Sequence, residues 1–199
     1  MRKNNKSDNT FYVCSYGGCG SKMLQNALKQ YGQTKHIHSR FPPEELEYVG
    51  NWKSGVPNSE WFNGIAISEC QLHKYHVIYI YRNPSFSIPS RFKNPKHLTN
   101  IQIDKDIKLD DVYKSGQDLY KLNEFHNNYL KPTKPRNYKV YCVKYEDIFD
   151  KQDQLSELLN IGKLNIINTS KRVNSDEKLD IIYSDLIQEM KQNDSIIIV

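Results

Sequence analysis

The chain has 199 residues, enough for one compact domain and too few for two large ones. Its 38% hydrophobic and 12% aromatic content excludes a disordered chain. The net charge of +5 favours anionic ligands only weakly, because Lys and Arg are scattered, and no zinc-finger, RRM or basic-region pattern accompanies them, so no nucleic-acid partner is expected.

In chain order, the first ten residues, MRKNNKSDNT, are polar and lack the apolar core of a signal peptide. They read as a flexible tail ahead of a single domain over 11–199. No apolar run is long enough to span a bilayer, so no membrane partner is expected. Cys14, Cys19, Cys70 and Cys142 show no CxxC pair or metal-ligand spacing. Reduced thiols in a soluble, cytoplasmic protein are the expectation; oligomeric state is not legible.

Residues 11–16 form a short run of strand formers ending in Gly17-Gly18. From Ser21 onward, Met23, Leu24, Ala27, Leu28 and Tyr31 recur at helical spacing until Gly32, which reads as a C-cap. Residues 33–39 suit a second strand, and Pro42-Pro43 opens a short helix over 44–47. The segment 51–63, with Trp52 and Trp61, reads as a loop, and 64–74 as a helix carrying Ile65, Ile67, Cys70 and Leu72. The run HVIYIY over 76–81 is β-branched and aromatic almost throughout, the mark of a strand buried on both faces.

The stretch 94–108 is polar and reads as a loop, whereas 110–130 places Val112, Leu119, Leu122, Phe125 and Tyr129 on one side of a single helix stopped by Pro132 and Pro135. A strand over 138–145, a helix over 154–159 and a last helix over 175–191, with Ser175 as its N-cap, complete the chain. Strands alternating with helices predict an α/β fold with a mostly parallel sheet covered on both faces. Such sheets bind ligands beyond the carboxyl ends of their strands, where the suggestive residues of this chain fall.

Two sites stand out there. In the first, Gly17, Gly18 and Gly20 let the backbone curl so that several N–H groups face one anion, and the helix dipole from Ser21 adds to them. Ser21 and Lys22 supply a hydroxyl and a charge. The order Gly20-Ser21-Lys22 is one residue out of step with the Walker pattern GxxxxGK(S/T), and an ordinary strand-to-helix turn would use the same glycines. In the second, Tyr81-Arg82-Asn83-Pro84 ends a buried strand in a guanidinium suited to phosphate, with Ser90 eight residues on; a surface cap would read the same way. A Walker NTPase needs a carboxylate at such a strand end to hold its magnesium shell, and this one ends in arginine.

Four segments taken together resemble the sulfotransferases that use 3′-phosphoadenosine 5′-phosphosulfate (PAPS). Residues 16–24, YGGCGSKML, are similar to the family's 5′-phosphosulfate loop, written PKSGTTWL or GRCGSTLL, and 79–90 resemble YVYRNPxDVAVS with the Arg-to-Ser spacing kept. VKYEDI over 143–148 is similar to LRYEDL, and NTSKR over 168–172, leading into the last helix, resembles the family's ending. The resemblance implies a three-layer α/β/α, P-loop NTPase-like sulfotransferase fold. It implies Gly17, Gly18, Cys19, Gly20, Ser21, Lys22 and Met23 around the 5′-phosphosulfate, Arg82 and Ser90 on the 3′-phosphate, and Tyr145 on the nucleotide.

PAPS would be a co-substrate, the acceptor a hydroxyl or amine on a carbohydrate, protein or small molecule, and no metal would be required. The loop lysine of the PKSGTT branch falls where this chain has Gly18, and Lys22 is the candidate to replace it as a catalytic charge. The basic RKG segment of cytosolic members has only a loose counterpart in Lys171-Arg172. His38, in HIHSRFPP, resembles the family's strand-end histidine and is the candidate base, with Arg40 beside it, His36 on the same strand face, and Glu44 and Glu69 as alternatives. A nucleotide or small-molecule kinase, or a relative that binds without transferring, are the competing readings.

Overall fold

In the computed structural model, which describes residues 8–48, 65–168 and 174–199, the chain runs β1 (Thr10–Cys14), α1 (Ser21–Leu28), β2 (Gln33–Ile37), β3 (Tyr75–Tyr81), α2 (Pro84–Arg91), α3 (Leu109–Ser115), α4 (Leu122–Leu130), β4 (Val140–Lys144), α5 (Gln152–Leu158), α6 (Glu177–Ile182), α7 (Ser184–Gln192) and β5 (Ile196–Ile198). The five strands form one sheet in the order β2-β1-β3-β4-β5, parallel except for β5, which runs antiparallel to β4. The fold is α/β with a mostly parallel central sheet, as the alternation of elements predicts.

β1 is buried along its whole length and β3 from His76 onward, because both are central and covered on two faces. That is why each reads as an unbroken apolar run instead of an alternating one. On one face, Tyr79 stacks on Phe125 and Tyr129 of α4, with ring centroids 5.9 and 4.4 Å away. Burial of a ring such as Phe125 contributes roughly 1.5–3 kcal/mol, and Tyr129 Oη adds a hydrogen bond to the Ser39 carbonyl at 2.9 Å that ties α4 to the end of β2.

The chain leaves β1 toward β2 on one side and leaves β3 toward β4 on the other. With right-handed crossovers, these opposite steps put α1 on one face and α2 to α4 on the other, an arrangement compatible with three layers. Strand order reverses between β1 and β3. The carboxyl ends of those two strands, at Cys14 and Tyr81, therefore border the crevice where sheets of this kind take ligands.

Several elements differ from the sequence expectation, each for a local reason. α1 ends at Leu28, and Gly32 is no C-cap: a Cβ there would lie 2.2 Å from the Asn9 carbonyl oxygen, so this glycine admits a close backbone approach. Residues 44–47 are not helical because their backbone is engaged elsewhere. Leu46 N–H donates to Asn137 Oδ1, Glu44 C=O accepts from Asn137 N–H, and Glu47 bridges to Ala66. That bridge leaves only a 3-10 turn, Glu69–Lys74, of the helix expected over 64–74.

The polar stretch 94–108 holds two 3-10 turns and buries Leu98 and Ile101. The single helix expected over 110–130 is two, α3 and α4, parted at Gly116 with φ 64°. The last helix is likewise split at Tyr183, and its N-cap is Asp176, whose carboxylate accepts from the N–H groups of Lys178 and Leu179, instead of Ser175. Among the described residues no helix is long and apolar enough to cross a membrane. The tail before residue 8, the Trp52 and Trp61 segment, and Lys171-Arg172 lie outside the described residues.

Candidate functional site

The glycine loop joins β1 to α1 with Gly17, Gly18 and Gly20 all at positive φ, 104°, 70° and 77°. Three left-handed residues within four turn the chain sharply, and Gly20 serves as an N-cap without a side-chain acceptor. The first turn of α1 carries no acidic residue either. Among the described residues no hydrogen bond is made by the N–H of Gly17, Gly18, Cys19 or Gly20, and helix geometry leaves those of Ser21, Lys22 and Met23 without an intrahelical acceptor. The Cys19 thiol is buried, donates to the Gly17 carbonyl at 3.1 Å and is pushed far up by burial, so it shapes the loop and is no nucleophile.

Tyr16 connects this loop to the end of β3. Its buried phenol donates to the Arg82 carbonyl and accepts from the Arg82 N–H at 3.2 Å, which fixes the backbone of the first residue beyond that strand. Asn83 then caps α2, its Oδ1 accepting from Ser85 N–H at 2.8 Å, and Pro84 takes the first helical position. The Arg82 guanidinium lies over the Tyr145 ring at 4.4 Å and the Phe86 ring at 5.3 Å, and its Nε is buried with no hydrogen-bond partner among the described residues. Tyr145 in turn packs on the loop: a Cβ on Gly20 would meet its Cε2 at 2.5 Å.

A second chain of contacts runs from the loop to β2. Ser15 Oγ donates to Ser21 Oγ at 2.9 Å, and Ser21 Oγ meets His36 Nε2 at 2.8 Å. With Ser21 already accepting from Ser15, its own proton is placed to go to His36. His38 Nδ1 lies 2.5 Å from the Ser15 carbonyl, an acceptor only, so Nδ1 carries the proton and Nε2 keeps its lone pair. Burial, then the charges of Lys22 and Arg91, pushes His36 down to about 4. Burial and the neighbouring His36 push His38 to about 3 against the Ser15 hydrogen bond. Both imidazoles are neutral near pH 7.

No family model, curated protein or solved structure matches the chain.

The residues singled out in the sequence are therefore weighed on geometry alone. Gly17, Gly18, Cys19, Gly20 and Ser21 form one loop with Tyr145 against it, and Met23 Cε lies 3.4 Å from where a Gly20 Cβ would be. Arg82 is joined to that loop through Tyr16 and Tyr145. Lys22 is exposed and its Nζ donates to Gln25 Oε1 at 3.0 Å, along the helix. Ser90 is exposed on α2, and no hydrogen bond joins it to Arg82 among the described residues. Arg40 is engaged structurally, its Nη2 donating to the Gln102 carbonyl at 3.3 Å and its Nε 3.8 Å from Glu124. Glu44 is paired with Lys134, and Glu69 lies in the turn before the amino end of β3, the end opposite the loop.

Two residues of the site escape sequence reasoning. His36 was legible only as a neighbour of His38, since its contact with Ser21 depends on how β2 lies beside β1. Arg91 was missed altogether. A Cβ on Gly18 would lie 2.5 Å from the Ser87 carbonyl oxygen, and one on Gly17 would lie 2.7 Å from both Cγ and Nε of Arg91. The i, i+4 pair Ser87 and Arg91 thus forms the face of α2 that packs on the loop. The one available signal was that spacing, counted from Pro84 at the helix start. A cleft of about 510 Å³ between Phe149, Asp153, Lys163 and Asn165 lies on other elements, and the charges of Asp153 and Lys163 in its lining pair with each other at 3.7 Å.

Proposed function

We propose that this protein binds PAPS through a P-loop-like, three-layer sulfotransferase fold and transfers its sulfuryl group to a hydroxyl or amine acceptor. The observation that carries the reading is the glycine loop at the strand-order reversal, with amides unpaired among the described residues and no acidic residue in the first turn of α1, coupled through Tyr16 and Tyr145 to Arg82, whose Nε has no hydrogen-bond partner there and whose charge is felt by the Glu146 carboxylate. Free N–H groups at a helix start favour a phosphate or sulfate, and a fixed guanidinium favours a second one. Arg82 would hold the 3′-phosphate and Tyr145 would face the nucleotide.

In transfer, the acceptor oxygen or nitrogen bonds to sulfur as the bond from sulfur to the bridging oxygen breaks, and adenosine 3′,5′-bisphosphate leaves. Loop amides and the Ser21 hydroxyl would hold the charge that develops on the leaving phosphate. His38 keeps on Nε2 the lone pair that a general base needs, and because burial pushes it down to about 3 it would take the acceptor proton only as the negative charge of bound PAPS raises its basicity. Lys22 lying on Gln25 favours a second reading, a member that binds the nucleotide without transferring.

Calorimetry on the purified chain tests this. Adenosine 3′,5′-bisphosphate is expected to bind and Mg-ATP to bind more weakly, with Arg82→Ala costing about tenfold to a hundredfold in affinity for the bisphosphate. Tighter binding of Mg-ATP turns the assignment to a kinase, and no binding of the bisphosphate removes it. Binding without turnover over a panel of sugars, phenols and peptides supports the second reading.

A further inference from the structure

We infer that Arg91 is the side-chain charge of the glycine loop, gripping the anion group that the loop amides hold. The inference rests on the reading that this loop takes the 5′ end of a 3′-phosphorylated nucleotide. Its basis is the pairing of the arginines. Arg40 has Glu124 and the Gln102 carbonyl, and Arg136 donates to the carbonyls of Asn128 and Tyr129. The guanidinium groups of Arg82 and Arg91, by contrast, make no hydrogen bond or ion pair among the described residues, and the Nε of each is buried, as that of Arg40 also is. Both border the same loop.

The stem of Arg91 crosses the loop where Gly17 has no side chain, with Cγ, Cδ and Nε all within 2.9 Å of the place a Cβ would occupy. A glycine at 17 is what lets the guanidinium come down onto the backbone. The ionisable groups that feel its charge are Cys19 of the loop and His36, His38 and His97, none of them a carboxylate. A sealed Nε with no acceptor leaves a donor unsatisfied, at a cost that an arriving oxyanion removes. Lys22 does not occupy this place, since its ammonium donates to Oε1 of the buried Gln25, although its charge is felt by His36. Position 18 has no side chain to contribute, and the guanidinium supplies a planar, permanently charged fork in its stead.

Two probe ligands separate Arg91 from the rest of the site: adenosine 3′,5′-bisphosphate and adenosine 3′-monophosphate, which lacks the 5′ group. By calorimetry, Arg91→Met is expected to bind the bisphosphate about tenfold to a hundredfold more weakly than the wild type, and the monophosphate within about twofold. Arg91→Lys, which keeps the stem across Gly17 and one charge, is expected to lose about threefold to tenfold on the bisphosphate alone. Should the Met variant not fold, the selectivity of the Lys variant decides. Equal losses on both ligands, or none on the bisphosphate, overturn the role of Arg91. A wild-type protein that binds neither ligand overturns the nucleotide reading beneath it, and that result is seen before any variant is compared.

Discussion

Gly17, Gly18 and Gly20 share a left-handed backbone but not the same neighbours, and the difference can be measured. A Cβ at Gly18 would stand 2.5 Å from the Ser87 carbonyl oxygen, a backbone atom that cannot swing aside. At Gly20 it would meet the Tyr145 ring at 2.5 Å, and at Gly17 the Arg91 stem at 2.7 Å, both of them side chains that can yield. Positive φ costs an L residue about 1–2 kcal/mol at any of the three, and overpacking adds about 1–3 kcal/mol where nothing can move. Urea unfolding should therefore show Gly18→Ala destabilised by about 3 kcal/mol, and Gly17→Ala and Gly20→Ala by about 1–2 kcal/mol. Nucleotide binding should suffer in all three. A Gly18→Ala protein as stable as the other two would mean that α2 does not pack on the loop.

The elements nearest the site were the most legible. The run from Phe11 to Leu28 reads as strand, loop and helix because burial on both faces, three clustered glycines and a 3.6-residue period are each local signals. Breaks made by tertiary partners were not legible. Asp118 shows why: its carboxylate accepts from Leu122 N–H at 3.0 Å and Asn123 N–H at 2.8 Å, capping α4, and from Tyr183 Oη at 2.8 Å where α6 gives way to α7. One side chain thus supports two helix boundaries that periodicity ran through. The helix expected at 44–47 failed for the related reason that Asn137, distant in sequence, takes its backbone groups. Loss of the cap in Asp118→Ala should cost about 1–2 kcal/mol in urea unfolding, with Asp118→Asn retaining part of it. No loss would mean that Gly116 alone sets the break between α3 and α4.

Across the whole molecule, buried histidines set the response to acid. His36, His38, His76 and His126 sit on β2, just past its end, on β3 and on α4, and burial is the first cause that pushes them down to about 4, 3, 4 and 4. For His126, the charge of Glu189 pulls upward and that of Lys131 downward. A histidine in the unfolded chain titrates near 6.5, so between that pH and about 4 the unfolded state binds the proton that the folded state refuses. Stability is therefore complete above pH 6.5 and falls as the pH drops, by about 1.4 kcal/mol per pH unit for each such histidine once the unfolded form is protonated. Four together give about 5 kcal/mol per unit near pH 5, comparable to the whole stability of a small domain. Unfolding by urea at pH 7 and pH 5 should show that fall, with His126→Gln reducing it by about a quarter because one of the four protons is gone. Equal stability at the two pH values would mean that these imidazoles are not held neutral, and the contacts of His36 with Ser21 and of His38 with the Ser15 carbonyl would then need a different protonation state.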